Sequence, residues 1–250
     1  MSKADKKIKS KEPHGRTGVR DRNLSKARFN QHLAAAARDN VVSIIGQGRV
    51  PERALEIAVS AFFLADHLTR RFEAEHDLHQ PIACREDCDS CCYNQVELTP
   101  PEALLIGRHI AKNFPPGAKA LLLARVARNL GRTDGKNPAA IAAMRAELPC
   151  PLLRERRCSV YPVRPLTCRA MHGLDRERCA AELRTGSLAG SQYYAHRHDT
   201  AVSVSAGLRE GCRVAGLQSE AFNLTRALHD FFTQKNPVER WIMGEEVFGP

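Results

Sequence analysis

Apolar residues recur mainly at helical spacing along this chain, and no run alternates apolar and polar residues as a half-buried strand would. The strongest pattern begins at Pro51, which suits the first position of a helix, and Glu52 lies near the positive end of the helix dipole. One face of this pattern carries the side chains of Leu55, Val59, Phe62, Phe63 and Phe72. We predict a helix over residues 51–76 that buries this face, aromatic pair included, in the core.

Capping residues mark the ends of further helices. Thr99 and Glu102 have the spacing of a capping box, with Pro100 at the first helical position. A last turn carries Trp241 and Ile242, which we expect to pack on the core. The predicted helices cover residues 29–45, 51–76, 100–112, 118–130, 138–148, 175–183, 191–212 and 219–232.

The composition agrees with a mainly α-helical protein. Of the 250 residues, 43% are hydrophobic and only 6% are aromatic. Ala and Leu, which favour helices, are abundant, whereas the aromatic residues that favour sheets are scarce. We predict a single helical domain over residues 30–250, in which helices frame a loop-rich cysteine core at residues 80–180 that is cross-linked by metal.

The N-terminal segment differs from the rest of the chain in charge. Residues 1–30 contain ten Lys or Arg and three Asp or Glu, so most of the formal net charge of +10 lies there. The segment is polar and lacks apolar periodicity, so we predict a disordered basic tail over residues 1–29. Such a tail can contact nucleic acid non-specifically, or it can simply be a solvated tail that aids solubility.

The chain carries no segment that predicts export or membrane insertion. Its N-terminus has no apolar stretch typical of a secretory signal, and no run of about 18 apolar residues is present. We therefore predict a cytoplasmic protein that does not bind membranes. Because thiols stay reduced in the cytoplasm, a dense cysteine pattern is typical there of metal binding or redox chemistry rather than of structural disulfides.

Eight of the nine cysteines fall into two groups. The first cysteine segment, residues 84–92, carries Cys84, Cys88, Cys91 and Cys92. The second cysteine segment, residues 150–179, carries Cys150, Cys158, Cys168 and Cys179. We predict that these eight thiols bind metal, and Cys179 is the weakest candidate because it lies in a predicted helix. Cys212 stands apart, at helical spacing from apolar residues, and is assigned to the core.

The spacing within the first cysteine segment leaves two geometries open. If the segment is helical, all four thiols share one face. If it is a loop, the adjacent Cys91 and Cys92 point to opposite sides. Neighbouring cysteines rarely chelate one tetrahedral ion, so the pair suits ligation of different irons in a cluster or of two separate sites.

The gaps between cysteines in the second cysteine segment bear on the identity of the metal. They exceed the short spacings of zinc fingers, and iron–sulfur ligands tolerate longer gaps. An iron–sulfur cluster is therefore the first expectation, zinc is the alternative, and a disulfide switch is a third. Residues 154–178 also contain seven arginines against three acidic residues. We expect this charge to lower the thiol pKa values, unless the arginines form a solvated face.

The cysteine spacing and its neighbouring motifs resemble those of the YkgJ-type CxxCxxCC proteins, which are described as zinc- or iron-chelating domains and often labelled iron–sulfur oxidoreductases. The resemblance covers residues 80–180 and rests on the first cysteine segment, Glu97–Glu102, Pro149–Leu153, Cys158–Tyr161 and Arg164–Arg169. It implies metal binding through Cys84, Cys88, Cys91, Cys92, Cys150, Cys158 and Cys168. It also marks Tyr161, Arg164, Pro165 and Arg169 as motif positions without settling their roles.

These observations predict a metal-binding protein with a redox, electron-transfer or iron-handling role. The alternatives are a zinc-stabilised interaction module and a cluster-dependent methyltransferase, because the resemblance extends to flagellin lysine methylases. No P-loop, Gly-rich dinucleotide turn or HExxH motif is present, so no catalytic or organic-cofactor residue is assigned. His76, His79, His196 and His198 are interpreted as surface residues that can alternatively bind metal.

Overall fold

Helices make up most of the fold. A computed structural model of the chain describes residues 17–78, 80–85, 87–185 and 193–249, with side chains from residue 26 onward. In chain order the helices are α1 (Thr17–Gly46), α2 (Pro51–Glu75), α3 (Pro100–Asn113), α4 (Pro116–Thr133), α5 (Pro138–Ala143), α6 (Leu166–Ala170), α7 (Arg176–Thr185), α8 (Ala195–Val214), α9 (Leu224–Thr233) and α10 (Pro237–Ile242). The predicted mainly α class is therefore confirmed. Within the described ranges, no helix is both long and apolar enough to cross a membrane.

Short strands and single 3-10 turns connect these helices. The strands are β1 (Glu97–Leu98), β2 (Leu153–Arg154), β3 (Arg157–Cys158) and β4 (Phe222–Asn223). β1 pairs with β4 and β2 pairs with β3, both antiparallel. The 3-10 turns lie at Ser90–Tyr93, Arg145–Glu147 and Tyr161–Val163. Strands of two residues are too short to produce a sequence alternation, which is why none was predicted.

The predicted helices correspond to those observed, with differences at their ends. The helix predicted over residues 138–148 stops at Ala143 and gives way to a 3-10 turn. The helix predicted from residue 219 begins at Leu224, because the two preceding residues pair with β1. At the C-terminus, Trp241 and Ile242 are buried as predicted, and the indole of Trp241 donates to the carbonyl oxygen of Gln218 at 3.1 Å.

The N-terminal segment is helical further toward its start than predicted. Residues 17–29, which we expected to be disordered, form the first part of α1. No proline follows Thr17 within this helix, and once its packed part has formed, each added residue gains a backbone hydrogen bond. Residues 1–16 lie outside the described residues, so nucleic-acid contact by the basic tail stays a prediction.

Close contact between α1 and α8 lies at the centre of the fold. A Cβ atom at Gly207 of α8 would lie 2.1 Å from the carbonyl oxygen of Ala34, and one at Gly211 would lie 2.6 Å from the Cβ of Val41. The two glycines therefore let the helices approach more closely than larger residues would. Because α8 also packs against α2 and α6, it connects this helix pair to the helix that carries Cys168.

The buried face of α2 differs from the predicted one. Phe62 is buried as predicted, but Phe63 is 65% exposed and Val59 is 52% exposed, so their assignment to the core is wrong. The buried residues of α2 are mostly small: Ala54, Ile57, Ala58, Ala61, Phe62 and Ala65. The prediction followed the largest apolar side chains, whereas the alanines allow close helix packing on the neighbouring face and leave Phe63 outside.

A buried carboxylate links two distant segments. Glu102 is 1% exposed, and its Oε2 accepts hydrogen bonds from the amide and the hydroxyl of Thr99, at 2.8 and 2.7 Å. These contacts confirm the predicted capping box at the start of α3. The Oε1 atom accepts a further hydrogen bond from the amide of Leu166, at 2.8 Å, where α6 begins. Glu102 therefore ties the helix after the first cysteine segment to the helix that carries Cys168.

Removal of the Glu102 carboxylate is expected to destabilise the fold. Glu102→Ala leaves the buried amides of Thr99 and Leu166 without an acceptor, and each buried unsatisfied donor costs about 1–3 kcal/mol. We expect the free energy of unfolding, measured by urea titration under reducing conditions, to fall by roughly 2–5 kcal/mol.

Glu210 supplies a matched control on the surface of α8. Its carboxylate pairs with Arg213 at 2.7 Å, and both side chains are exposed. An exposed ion pair contributes at most about 1 kcal/mol, so Glu210→Ala is expected to change the free energy of unfolding by less than that amount. Equal losses in the two variants would contradict the linking role of Glu102.

Candidate metal centre

The first cysteine segment is an irregular chain that ends in one tight turn. The 3-10 turn covers Ser90–Tyr93, and the amide of Cys92 donates to the carbonyl oxygen of Asp89 at 2.8 Å. The segment is therefore not one helix with four thiols on a single face. Cys92 is the main cause of the raised pKa of Cys91, so the turn holds the two adjacent thiols close together rather than on opposite sides.

A hairpin orders the middle of the second cysteine segment. β2 and β3 pair so that Leu153 lies opposite Cys158. The loop residues Glu155 and Arg156 both have positive φ, 50° and 63°, which suits a hairpin with a two-residue loop. Residues other than glycine rarely adopt this conformation, at a cost of order 1 kcal/mol each. The sequence therefore carried no turn signal, and the hairpin was missed.

One backbone hydrogen bond joins the two cysteine segments. The amide of Cys150 donates to the carbonyl oxygen of Cys92 at 2.7 Å. The amide of Leu153 then donates to the carbonyl oxygen of Cys150 at 2.9 Å, so the hairpin starts directly at this junction. On the other side, α7 packs against the turn Ser90–Tyr93 and brings Cys179 with it. The fold therefore brings the two cysteine segments into contact.

Arg169, a motif position without an assigned role, holds the loop that precedes α6. Its guanidinium donates to the carbonyl oxygens of Arg164 and Pro162, at 3.0 and 2.8 Å, and pairs with Asp66 of α2. It also lies over the ring of Phe62, 4.4 Å from the ring centre. Since Arg169 is only 8% exposed, these contacts give it a structural role that fixes α6 against α2.

Gly173 brings Cys84 and Cys179 together. Its amide donates a hydrogen bond to the sulfur of Cys84 at 3.3 Å. A Cβ atom at this position would lie 2.6 Å from the sulfur of Cys179, which is too short for any side chain to fit without displacement. Hydrogen bonds to cysteine sulfur tune thiolate-ligated metals. Sequence reasoning did not find Gly173, because a single loop glycine gives no sign of the tertiary contact that requires it.

A small cavity lies beside these thiols. Its volume is about 30 Å³, and Met171 and Tyr193 form part of its wall. The cysteines that line it are Cys84, Cys88, Cys91 and Cys179. A water molecule needs at least about 10–15 Å³ by the same measure, so this cavity has room for one or two ligands the size of a water molecule or a metal ion.

Burial raises the pKa of most cysteine thiols in the two segments. It raises the pKa of Cys150 to about 12 and that of Cys179 to about 11. It also raises the pKa of Cys84, Cys158 and Cys168 above the ordinary thiol value. These thiols are consequently protonated at neutral pH unless a cation binds among them.

The positive charge of Arg164 acts to lower thiol pKa values, as predicted, but burial has the larger effect. Its guanidinium lies 3.8 Å from the centre of the Tyr161 ring, and its positive charge acts to lower the pKa of Cys158 and Cys168. Burial acts in the opposite direction and is the larger effect at both residues. Arg164 therefore lowers the pKa values of both thiols as expected, but burial leaves both pKa values above the ordinary thiol value.

The donor set fits a soft metal. Thiolates are preferred ligands of zinc and of iron–sulfur clusters, and a bound cation supplies the positive charge that ionisation of buried thiols needs. In the part of the chain that the structure describes, no three Cys, His, Asp or Glu side chains already stand as a ligand set. Metal binding by these thiols would therefore include rotation of their side chains toward a common ion.

The remaining candidates lie outside this donor set. Cys212 is fully buried within α8, which confirms its place in the core. His76 is exposed, and the side chain of His198 is 47% exposed, so both are surface residues as interpreted. His79 lies outside the described residues.

His196 is not part of an exposed helix face. Its Nε2 lies 2.8 Å from the carboxylate of Glu73, which also accepts hydrogen bonds from Arg197. Its ring stacks on Phe72, with 4.5 Å between the ring centres. These contacts attach the start of α8 to the end of α2 and correct the surface assignment of this histidine.

Residues 83–185 match the CxxCxxCC family, which is described as "Putative zinc- or iron-chelating domain". The match confirms the family resemblance over this part of the chain and supports the binding of zinc or iron. The first gap in this chain, between Cys84 and Cys88, is one residue longer than the family name implies. No curated protein and no solved structure matches the chain.

A side chain at residue 173 is expected to disturb the centre. Gly173→Ala places a methyl group against the sulfur of Cys179, which lies at the end of a side chain that can rotate away, so we expect overpacking to cost about 1 kcal/mol, the low end of its usual range. We expect a loss of that size in the free energy of unfolding, together with a lower metal content per chain in protein purified under reducing conditions.

Gly131 provides the matched control. It lies within α4, and a Cβ atom built there meets nothing within 4 Å. Because alanine favours a helix over glycine, Gly131→Ala is expected to raise the free energy of unfolding by up to about 1 kcal/mol without changing the metal content. The proposed close contact at residue 173 would be refuted by a Gly173→Ala protein with the metal content and stability of the unaltered chain.

Proposed function

We propose that this protein binds an iron–sulfur cluster through cysteine thiolates and serves electron transfer or iron handling. The observation that carries this proposal is the junction of the two cysteine segments, where the amide of Cys150 bonds to the carbonyl oxygen of Cys92. The proposed ligands come from the thiols that this junction gathers. They are Cys84, Cys88, Cys91, Cys92, Cys150, Cys158, Cys168 and Cys179.

The chemistry around the sulfur atoms supports a metal role over a packing role. A protonated thiol is only a weak hydrogen-bond donor, and the raised pKa values mean that burial opposes ionisation without a cation. The amide of Gly173 points at the sulfur of Cys84, where it can stabilise negative charge. The guanidinium of Arg164 acts on Cys91 as well as on Cys158 and Cys168, so positive charge lies near both cysteine segments.

A structural zinc site is the second candidate, and the cavity beside Cys84 and Cys179 favours it. At about 30 Å³ the cavity suits a single ion more closely than a four-iron cluster. Four thiolates around one zinc form a closed site that stabilises folding without catalysis. In this case the protein would be an interaction module.

Metal and sulfide analysis distinguishes the two candidates. The full chain is purified without oxygen, and iron, zinc and acid-labile sulfide are measured per chain together with the visible spectrum. About four irons and four sulfides, with absorbance near 400 nm, would establish at least one cluster. Zinc without sulfide would establish the structural site, and the absence of all three would refute both.

Loss of a hairpin thiol is expected to reduce both metal content and stability. Cys158 is held opposite Leu153 in the hairpin, so its thiolate would cross-link the second cysteine segment to the first through the metal. For Cys158→Ala we expect less metal per chain and a free energy of unfolding lower by several kcal/mol.

Cys212 is the control for this variant, because it is a buried cysteine in the core. Cys212→Ala is expected to keep its full metal content, with only the stability loss of a small core truncation, about 1 kcal/mol. If Cys158→Ala retained the metal content and melting temperature of the unaltered chain, Cys158 could not be a ligand.

Metal affinity is expected to rise with pH. The pKa values of Cys150 and Cys179, about 12 and about 11, keep these thiols protonated at neutral pH in the metal-free protein. Each thiol that binds as a thiolate must release its proton, so acid competes with the metal and alkali favours binding. We expect zinc affinity, measured by competition with a chelating dye between about pH 6.5 and 8.5, to increase steadily. An affinity independent of pH would exclude ligation by these thiols.

A further inference from the structure

A groove on the surface of α4 lies outside the candidate metal centre. Its volume is about 810 Å³. It is bordered by α4, by Phe114 and Pro115 before this helix, by Arg154 in β2, and by Ser159, which follows β3. We name it the α4 groove. None of the described cysteines lines it, so it is a separate feature of the molecule.

One stripe of α4 is buried, and a neighbouring stripe lines the groove. The helix packs against α9, and its buried residues are Leu122, Val126 and Asn129. Four residues that line the α4 groove recur at intervals of three or four, which aligns them along the helix. They are Ala118, Leu121, Arg125 and Arg128. The stripe is apolar toward the start of the helix and cationic toward its end, so the groove has an apolar end and a cationic end.

The apolar end of the α4 groove exposes side chains that proteins usually bury. Leu121 is 68% exposed, and Phe114, Pro115 and Ala118 also line the groove. A single exposed leucine is ordinary on a protein surface, but apolar residues gathered in one concave surface indicate contact with another molecule.

The cationic end is formed by three arginines, and no acidic side chain is among the described residues that line the groove. Arg125 is fixed in place because its Nη1 donates to the carbonyl oxygen of Leu153 at 2.8 Å. Arg128 is exposed and forms no ion pair within the described ranges. Arg154 lies 3.5 Å from the carboxylate of Glu155, but both side chains are exposed, so another carboxylate can replace this weak pair. Arginine binds carboxylates through two parallel hydrogen bonds, so this end suits an acidic partner.

The two ends together restrict what can occupy the α4 groove. Single-stranded nucleic acid prefers aromatic platforms on which bases stack, and Phe114 is the one aromatic side chain among the described lining residues. Residues 1–16 contain six Lys or Arg and two Asp or Glu, so the chain's own tail has the wrong charge. A second copy of the chain carries the same formal net charge of +10, which opposes self-association.

We propose that the α4 groove binds an acidic amphipathic helix of a partner protein. The apolar face of that helix would contact Leu121 and Phe114, and its carboxylates would pair with the three arginines. Because Ser159 directly follows Cys158, the bound partner would lie beside a proposed metal ligand. Docking in the groove does not depend on metal, but its use in electron transfer or iron handling rests on the proposed function.

Selection from a library of displayed random peptides tests the proposal. Peptides of about 16 residues, long enough for roughly four helical turns, are selected on the full chain and then depleted on Arg128→Glu. The salt concentration is about 150 mM, which screens non-specific attraction to the basic chain. We expect the surviving peptides to be rich in Asp and Glu, with apolar residues three or four positions apart. No survivors, or survivors without this pattern, would overturn the proposal.

Two variants that play no part in the selection test both ends of the groove. With a labelled surviving peptide, fluorescence anisotropy is expected to show affinity losses of roughly three- to tenfold for both Leu121→Ser and Arg154→Gln. Val59→Ser and Arg70→Gln are the matched controls, because both residues are exposed on α2. We expect each control to change the affinity by less than about twofold. Unchanged affinity in either groove variant would overturn the proposal.

Further measurements separate the other occupants and the proposed function. A single-stranded RNA that displaces the peptide and binds Leu121→Ser as tightly as the unaltered chain would overturn the proposal in favour of nucleic acid. A dimer seen by sedimentation and lost in Arg128→Glu would assign the groove to a second copy. Metal content is measured on the same samples and is expected to be equal in the unaltered chain, Leu121→Ser and Arg154→Gln. Peptide binding by a chain that takes up neither zinc nor iron would overturn the proposed function alone, and metal binding without peptide binding would overturn the docking proposal alone.

Discussion

The buried carboxylate of Glu102 is the constraint on which the cysteine arrangement depends. Its two oxygens are divided between Thr99, which follows the first cysteine segment, and Leu166, which precedes Cys168. A carboxylate at 1% exposure is costly unless it is fully hydrogen-bonded. The three donors offset part of that cost, although burial still raises the pKa of Glu102. The stability of this contact therefore fixes the distance between two segments that lie 64 residues apart in sequence.

Burial and nearby positive charge have opposite effects on the pKa values of the thiols. Arg164 acts to stabilise the thiolates of Cys158 and Cys168, yet burial has the larger effect on both residues and keeps them protonated. A bound metal cation would stabilise the thiolate form despite burial, because it contacts the sulfur directly. A partly solvated guanidinium acts only from a distance. Folding and metal binding are therefore expected to be linked in this protein.

Close backbone approaches recur where the fold holds its parts together. Gly207 and Gly211 let α8 lie against α1, and Gly173 leaves space for the sulfur of Cys179. The amide of Cys150 reaches Cys92 across the junction of the cysteine segments. The helical core and the cysteine core are connected through α6, since Arg169 fixes that helix to α2 by its pair with Asp66. Metal binding in the loops can thereby affect the stability of the helices.

The sequence by itself determined the longer helices but not the short α6. It also determined the capping box at Thr99 and Glu102, the core position of Cys212 and the family of the cysteine motifs, because each depends on local spacing or residue type. Only the tertiary structure decided which face of α2 is buried, because several alanines compete with fewer large side chains for contact with the neighbouring helices. Local patterns also do not encode contacts between distant residues, such as the hydrogen bond from Leu166 to Glu102 and the close contact of Gly173 with Cys179. Nor do they encode the unusual backbone angles of the hairpin at Glu155 and Arg156. The tertiary structure likewise decided the direction of the thiol pKa shifts. The number of arginines can be read from the sequence, whereas burial of the thiols exists only once the chain has folded.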